Sequence, residues 1–126
     1  MARLRRGDGA SEDSPLADED SPLASKHCVP CRGGVPRLTD EEIAPLLGQL
    51  DGWEVVGGHH LSKEYKFPNF ADALAFVNRV GALAEQEGHH PDIAFGWAYA
   101  RLQIYTHAIN GLTESDFILA AKIDAG

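Results

Sequence analysis

The sequence predicts a single α+β domain, in the order α-β-β-α-β-β-α, in which a four-stranded antiparallel sheet carries three helices on one face. Two observations lead to this class. Segments with helical apolar spacing alternate along the chain with pairs of short segments in which apolar and polar residues alternate. Each pair is joined by a short turn, so neighbouring strands run antiparallel and the helices must cover the apolar side of the sheet.

The first helix is predicted to run from residue 39 to about residue 50. Thr39 and Glu42 have the spacing of a capping box, and apolar residues follow at helical spacing: Ile43, Leu46, Leu47 and Leu50. The helix should end before Gly52.

The first pair of strands is predicted at residues 53–56 and 61–67, on either side of the turn residues Gly57 and Gly58. In the second of these strands, one face should carry Leu61, Tyr65 and Phe67, and the other Ser62, Glu64 and Lys66. Lys63 is an imperfection in this alternation.

The second helix should begin at Asn69, whose side chain can cap it, with Asp72 favourably placed in the first turn. It should extend at least to Glu85 and can end at Gly88. Its apolar stripe consists of Ala73, Phe76, Val77, Val80 and Ala84.

The second pair of strands is predicted from residue 91 to about 96 and from 100 to 107, with a turn near Trp97. One face of the last strand carries Ala100, Leu102, Ile104 and Thr106, and the other Arg101, Gln103, Tyr105 and His107. After Gly111, Thr113 and Asp116 open a third helix, and helix capping is the interpretation preferred for Asp116.

Residues 1–34 are predicted to be a disordered tail that precedes a domain of residues 35–126. The tail contains an imperfect seven-residue repeat, at 12–17 and 19–24, rich in acidic residues and proline. It offers little apolar area to offset the entropy of ordering. A docking motif for a partner is the alternative interpretation of the repeat.

Cys28 and Cys31 form a C-x-x-C pair in this tail. A structural zinc site needs four ligands, and only His27 adds a nearby candidate. Reduced thiols without a function are therefore the preferred interpretation, with a labile metal site or a disulfide as the alternative.

The formal net charge of -8, from 11 Lys and Arg against 19 Asp and Glu, argues against a nucleic-acid partner, because phosphate binding requires a basic surface. No apolar run approaches the roughly 20 residues that span a bilayer, so we expect no membrane segment and a cytoplasmic protein.

His89-His90-Pro91 and Thr106-His107 are the most informative residues for function. The start of the third strand should lie opposite the end of the fourth, which brings the histidines together. Imidazoles titrate near neutrality and transfer protons in both directions. If the second helix continues through Gly88, Glu85 should project from the same helix face as His89. A zinc site with three imidazoles is disfavoured, because adjacent residues on an extended segment point in opposite directions.

These motifs resemble the signature of the pterin-4a-carbinolamine dehydratases: Glu85, His89-His90-Pro91, Thr106-His107 and Gly111-Leu112-Thr113-Glu114-Ser115-Asp116. The resemblance covers roughly residues 38 to 125 and includes Gly52-Trp53 and the Phe67-x-x-Phe70 entry to the second helix. It implies dehydration of a 4a-hydroxytetrahydropterin to the quinonoid dihydropterin, without metal or organic cofactor.

The resemblance also implies roles for single residues. His89 and His107 would be the acid and base, His90 would hold the pterin or its hydroxyl, and Glu85 would orient an imidazole or bond the pterin. The expected substrate contacts are Trp53, Pro91, Thr106 and Ala108, with core packing an equal alternative for Trp53.

Two departures from the family pattern concern the neighbourhood of the site. Gly88 stands where an acidic or polar residue is common, which would loosen the orientation of the histidines. Trp97 stands where tyrosine is common, which would alter the mouth of the site.

The family further includes a dimerisation cofactor of a homeodomain transcription factor and dehydratase-like proteins associated with Rubisco assembly in carboxysomes. A non-catalytic assembly factor, chaperone or coactivator, associated with the carboxysome in the Rubisco case, is therefore the alternative function. A homodimer or homotetramer is expected from the semi-polar face of the sheet and from the resemblance.

Overall fold

The structure is a computed structural model that describes residues 22–28 and 36–126. Within these residues the chain forms three α-helices and four strands: α1 Asp40–Leu47, β1 Glu54–Val56, β2 His60–Lys66, α2 Phe70–Glu87, β3 Asp92–Gly96, β4 Tyr99–Ile104 and α3 Glu114–Ala125. Short 3₁₀ turns lie at Leu23–Ser25 and His107–Ile109. The predicted fold class and order of elements are confirmed.

The four strands form one antiparallel sheet in the order β1-β2-β4-β3. Asp92 at the start of β3 pairs with Gln103 near the end of β4. The residues just before β3 therefore lie beside the residues just after β4, which is the juxtaposition that positions the site.

One face of the sheet is buried and the other is exposed. Along β4, Leu102 and Ile104 are fully buried, whereas Arg101 and Gln103 are exposed. The buried face packs against the helices in a core that includes Leu61, Val80, Leu102, Ile104, Leu112, Phe117, Leu119 and Ile123. The predicted alternation along the last strand is confirmed.

Local caps fix the helix ends near the site. The predicted capping box of α1 is present, and the Asn69 side chain accepts a hydrogen bond from the Asp72 backbone N–H at 2.8 Å at the start of α2. Gly88 ends α2 with φ 65°, a left-handed conformation that favours glycine.

Lys63 lies on the core side of β2, where the alternation predicts an apolar residue. Its ammonium group extends to Asp124. Its Nζ donates to Asp124 Oδ2 at 3.0 Å and lies 4.9 Å from the centroid of the Tyr65 ring. Tyr65 donates its hydroxyl to Asp124 Oδ1 at 2.6 Å, and burial, with this carboxylate, raises the pKa of Tyr65. The lysine is thus accommodated without disrupting the strand.

Two predicted boundaries are wrong. The first helix ends at Leu47, and Leu50 follows in a turn that still packs on the core. The last strand ends at Ile104, so His107 does not end a strand. Thr106 pairs instead with Gly111, and this bridge closes the 3₁₀ turn that His107 begins.

Residues 22–28 belong to the segment that the sequence predicts to be a tail. This segment packs against α3, and its Leu23 is 3% exposed. The 12–17 copy of the repeat and Cys31 lie outside the described residues. Among residues 22–28 and 36–126, none of the helices combines the length and apolar character that a membrane crossing requires.

Candidate active site

A pocket of about 180 Å³ lies where the end of α2 and the approach to β3 meet the segment after β4. Its lining consists of Gly88, His89, His90, Tyr105, Thr106, His107 and Ala108. The structure thus brings together the histidines, Thr106 and Ala108 that the sequence assigned to a site. The volume is below the roughly 300–1,000 Å³ of pockets for drug-sized ligands, which suits a small ring system.

His89 lies on the inner wall of this pocket. Its Nε2 is 2.5 Å from Asp116 Oδ1, and its side chain is 11% exposed. Asp116 is fully buried and also accepts from the Thr106 hydroxyl at 2.9 Å and from the Thr113 backbone N–H at 2.8 Å. A carboxylate only accepts hydrogen bonds, so Nε2 carries the proton and Nδ1 is the other functional nitrogen of His89.

His90 pairs with a different carboxylate. Its Nε2 lies 2.6 Å from Glu85 Oε2, and the two side chains are 60% and 79% exposed. Glu85 was expected to share a helix face with His89 only if the helix continued through Gly88, and this condition is not met. Because α2 ends at Glu87 and the left-handed Gly88 turns the chain, Glu85 meets His90 instead.

His107 forms the wall contributed by the segment after β4. Its Nε2 is 3.7 Å from Asp92 Oδ2, with side chains 55% and 58% exposed. Its ring packs on Tyr105 with centroids 4.1 Å apart, and Tyr105 packs in turn on His59 at 4.4 Å. Packing on Tyr105, which His59 contacts from its own side, restricts how far the His107 imidazole can move.

All three pocket imidazoles therefore turn Nε2 toward a carboxylate, and each carboxylate belongs to a different element. The hydrogen bonds to Asp116 and Glu85 fix the tautomers of neutral His89 and His90, and all three carboxylates stabilise an imidazolium, the one beside His107 as an ion pair at 3.7 Å. The Asp116 bond is buried and the other pairs face solvent, so His89 is the most firmly oriented. The pocket can both donate and accept protons around one small molecule.

The remaining predicted residues do not line the pocket. Trp53 is 6% exposed, donates from Nε1 to Asp124 at 2.8 Å and packs edge-on against Tyr65, which is the core role given as its alternative. Pro91 is half-buried beside the pocket, and Glu85 reaches it through His90.

The predicted effect of Trp97 on the mouth of the site is wrong. Trp97 is 70% exposed in the β3–β4 turn, at the end of β3 opposite the histidines. Gly88 does line the pocket, where it provides the left-handed turn before His89.

Sequence reasoning missed Asp116, Asp92 and Tyr105. Helix capping is the role that the sequence predicts for Asp116, and its capping box is present. A carboxylate has lone pairs for several donors, so Asp116 can also accept from His89. The position of Asp92 next to Pro91 was a usable signal, since β3 and β4 bring their ends together. Within the described part of the chain, no three His, Cys, Asp or Glu side chains are arranged to hold a metal ion.

Residues 36–126 match the model of the pterin 4 alpha carbinolamine dehydratase family. The chain belongs to this family. A relative from Rubrobacter xylanophilus, provisionally named pterin-4-alpha-carbinolamine dehydratase, is 61% identical over 104 residues, which are 82% of this chain and 97% of the relative. One from Rickettsia canadensis, with the same provisional name, is 54% identical, covering 82% of this chain and 95% of the relative.

Two solved structures are also similar. A transcriptional coactivator/pterin dehydratase from Brucella melitensis has a TM-score of 0.67 and 34% identity, covering 71% of this chain and 97% of its own. A pterin dehydratase-like protein described as a RuBisCO assembly factor in the alpha-carboxysome has a TM-score of 0.52 and 32% identity, covering 59% and 87%.

The match to the Rubrobacter relative extends beyond the family model. A stretch of 104 residues in a chain of 126 must include residues 23 to 104, wherever it begins. The segment that carries Leu23 and Cys28 is therefore part of the length that this relative shares.

Proposed function

We propose that the protein dehydrates a 4a-hydroxytetrahydropterin to the quinonoid dihydropterin by acid-base catalysis. Membership of the family supports the substrate class. The observation that carries the proposal is the pocket in which three imidazoles, each with a carboxylate at Nε2, surround a space for one small molecule.

The reaction needs two proton transfers. An imidazolium protonates the hydroxyl on C4a, the C4a–O bond breaks, and water leaves. The lone pair of N5 forms the C4a=N5 double bond, and a neutral imidazole removes the proton from N5. One histidine must therefore start protonated and another neutral, a combination that imidazoles supply near neutral pH.

His89 and His107 are the two histidines that the proposal assigns to these transfers, in an order it leaves open. They belong to two different segments that line the pocket, one before β3 and one after β4, so they can address two different atoms of one ring. His90 and Thr106 would hold the pterin or its hydroxyl, and Ala108 would contact the ring.

The test measures, by stopped-flow absorbance, how fast the His89→Ala and His107→Ala variants dehydrate 4a-hydroxytetrahydropterin. Each substitution should lower kcat by about 10²- to 10⁴-fold, the usual contribution of a general acid or base. Trp97→Ala is the control, because this side chain is 70% exposed and lies at the end of β3 opposite the pocket, and it should leave kcat unchanged. Native rates in both pocket variants would refute the proposal.

The alternative is a non-catalytic assembly role, which the similarity to the RuBisCO assembly factor favours. It predicts that the native protein gives no turnover and binds purified Rubisco directly in sedimentation experiments, with a carboxysomal location. The main proposal places the protein in the cytoplasm as a homodimer or homotetramer. A monomeric mass across micromolar dilution in light scattering would contradict that assembly.

A further inference from the structure

Residues 22–28, here called the N-terminal strap, run along α3 and end beside the His89–Asp116 hydrogen bond. Leu23 is buried in the core, and Lys122 Nζ donates to the Ala24 carbonyl at 2.9 Å. Lys26 pairs with Glu114 at 2.8 Å. The strap is therefore held along its length before it reaches Cys28.

Cys28 contacts α2 at its last residue, shortly before His89, and α3 just before Asp116. Its backbone N–H donates to Glu87 Oε1 at 3.0 Å, and its Sγ lies 3.4 Å from the Ser115 carbonyl. Glu87 ends α2, two residues before His89, and Ser115 directly precedes Asp116. Cys28 thus joins the two chain segments close to the residues that form the His89–Asp116 hydrogen bond.

Glu87 is an acidic residue whose side chain is almost completely buried, which is unusual for a carboxylate. Its side chain is 4% exposed. Its Oε2 lies 3.7 Å from Lys122 Nζ and 3.5 Å from His27 Nδ1. Burial acts to raise the pKa of Glu87, but the Cys28 N–H, Lys122 and His27 outweigh it and lower that pKa. A buried carboxylate is costly unless it is paired, so its partners from the strap and α3 restrict where the end of α2 can lie.

The thiol of Cys28 suits a structural role. Burial and the nearby Glu87 raise its pKa to about 12, so it stays protonated and can donate to the Ser115 carbonyl. A protonated thiol is a poor nucleophile and a poor metal ligand. The geometry of this end of the strap therefore favours fixing the backbone over chemistry at the sulfur.

We propose that the N-terminal strap positions His89 on Asp116, with Cys28 and Glu87 as the positioning residues. The strap ties the end of α2 to the first turn of α3, and Gly88, which lies between Glu87 and His89, has no side chain that could anchor it. The effect on catalysis rests on the proposed dehydratase function, whereas the effect on the His89 ring does not.

The test compares Glu87→Ala and Glu87→Gln in the full chain. Glu87→Gln keeps a carbonyl oxygen for the Cys28 N–H, and Glu87→Ala removes it. Glu87→Ala should lower kcat about tenfold with KM little changed. Displacing a catalytic group by 1 Å can lower the rate by ~10²-fold, so this loss corresponds to a smaller displacement of His89. In ¹⁵N NMR it should shift the His89 ring signals and leave those of His107 in place. Glu87→Gln should recover most of both effects.

Gln86→Ala is the matched control, because this exposed residue lies beside Glu87 at the end of α2 and does not hold the strap, and it should leave kcat and the His89 ring signals unchanged. Cys28→Ala and Cys28→Ser provide a second pair in case Glu87→Ala does not fold, with serine expected to restore what alanine loses.

Two results would overturn the strap proposal. In one, folded Glu87→Ala and Cys28→Ala keep native kcat and native His89 signals. In the other, the His89 and His107 signals shift equally, which would indicate a general loss of structure. If the native protein has no dehydratase activity, the proposed function fails, and the His89 signals alone decide whether the strap positions the ring.

Discussion

Asp116→Asn tests the role of the His89–Asp116 hydrogen bond most directly, because it removes the charge of one fully buried side chain and keeps its shape. The asparagine oxygen can keep the two bonds from the Thr106 hydroxyl and the Thr113 N–H. Its NH₂ group then faces His89 Nε2, where the carboxylate accepted. His89 must respond by moving its proton from Nε2 to Nδ1, so its second nitrogen changes from acceptor to donor.

The size of the effect follows from replacing a hydrogen bond to a charged carboxylate with one to a neutral amide. A hydrogen bond to a charged group contributes about 1.5–3 kcal/mol, and about 1.4 kcal/mol corresponds to tenfold in rate. We therefore expect kcat to fall by about tenfold to about 150-fold. The equivalent change in a Ser-His-Asp triad lowers kcat about 10⁴-fold, which sets an upper bound.

The assay is stopped-flow dehydration of 4a-hydroxytetrahydropterin, with the tautomer of His89 read from ¹⁵N NMR of its ring. Glu42→Gln is the matched control. Glu42 occupies the same capping-box position in α1 that Asp116 occupies in α3, but it has no contact with a pocket histidine. Native kcat in Asp116→Asn, or an equal loss in Glu42→Gln, would refute the reasoning.

Three further predictions concern the strap and the core. The lowered pKa of Glu87 stabilises the fold above its ordinary value of 4.5, and this contribution is lost as pH falls through the folded-state pKa. The free energy of unfolding in urea should therefore fall less for Glu87→Gln than for the native protein between about pH 5 and pH 3; an equal fall would contradict the shift. In a Cys31→Ser variant, iodoacetamide at pH 8 should label folded Cys28 about a thousandfold more slowly than an ordinary thiol, because its pKa is about 12 instead of 9.0. Labelling at the rate of the urea-unfolded chain, measured by mass spectrometry, would argue against burial of the thiol. Phe117→Ala should cost about 3–5 kcal/mol of unfolding free energy, since the ring is fully buried. A loss below about 1 kcal/mol would place that ring outside the core.

The order of elements was predictable because the hydrophobic period changes from helical to alternating at each boundary. The convergence of the histidines was predictable for the same reason, since antiparallel pairing of β3 with β4 places residue 89 near residue 106. Both inferences rest on local patterns that tertiary contacts did not override.

The partners of the histidines could not be predicted from spacing. Glu85 and His89 are four residues apart, which would bring them together on a continuous helix. A single left-handed glycine ends the helix between them, so Glu85 pairs with His90 instead. The contacts of Cys28 were also hidden, because they join residues 59 and 87 positions apart in the chain. Nothing in the composition of the predicted tail indicates which surface it will cover.

The most direct measurement of the central claim is a single-turnover experiment with native protein in excess over 4a-hydroxytetrahydropterin. The account predicts that the native protein accelerates formation of the quinonoid product well above the rate in buffer. It further predicts that a variant with alanine at positions 89, 90 and 107 returns to the buffer rate while remaining folded. A native rate equal to buffer, or a triple variant as fast as the native protein, would contradict it.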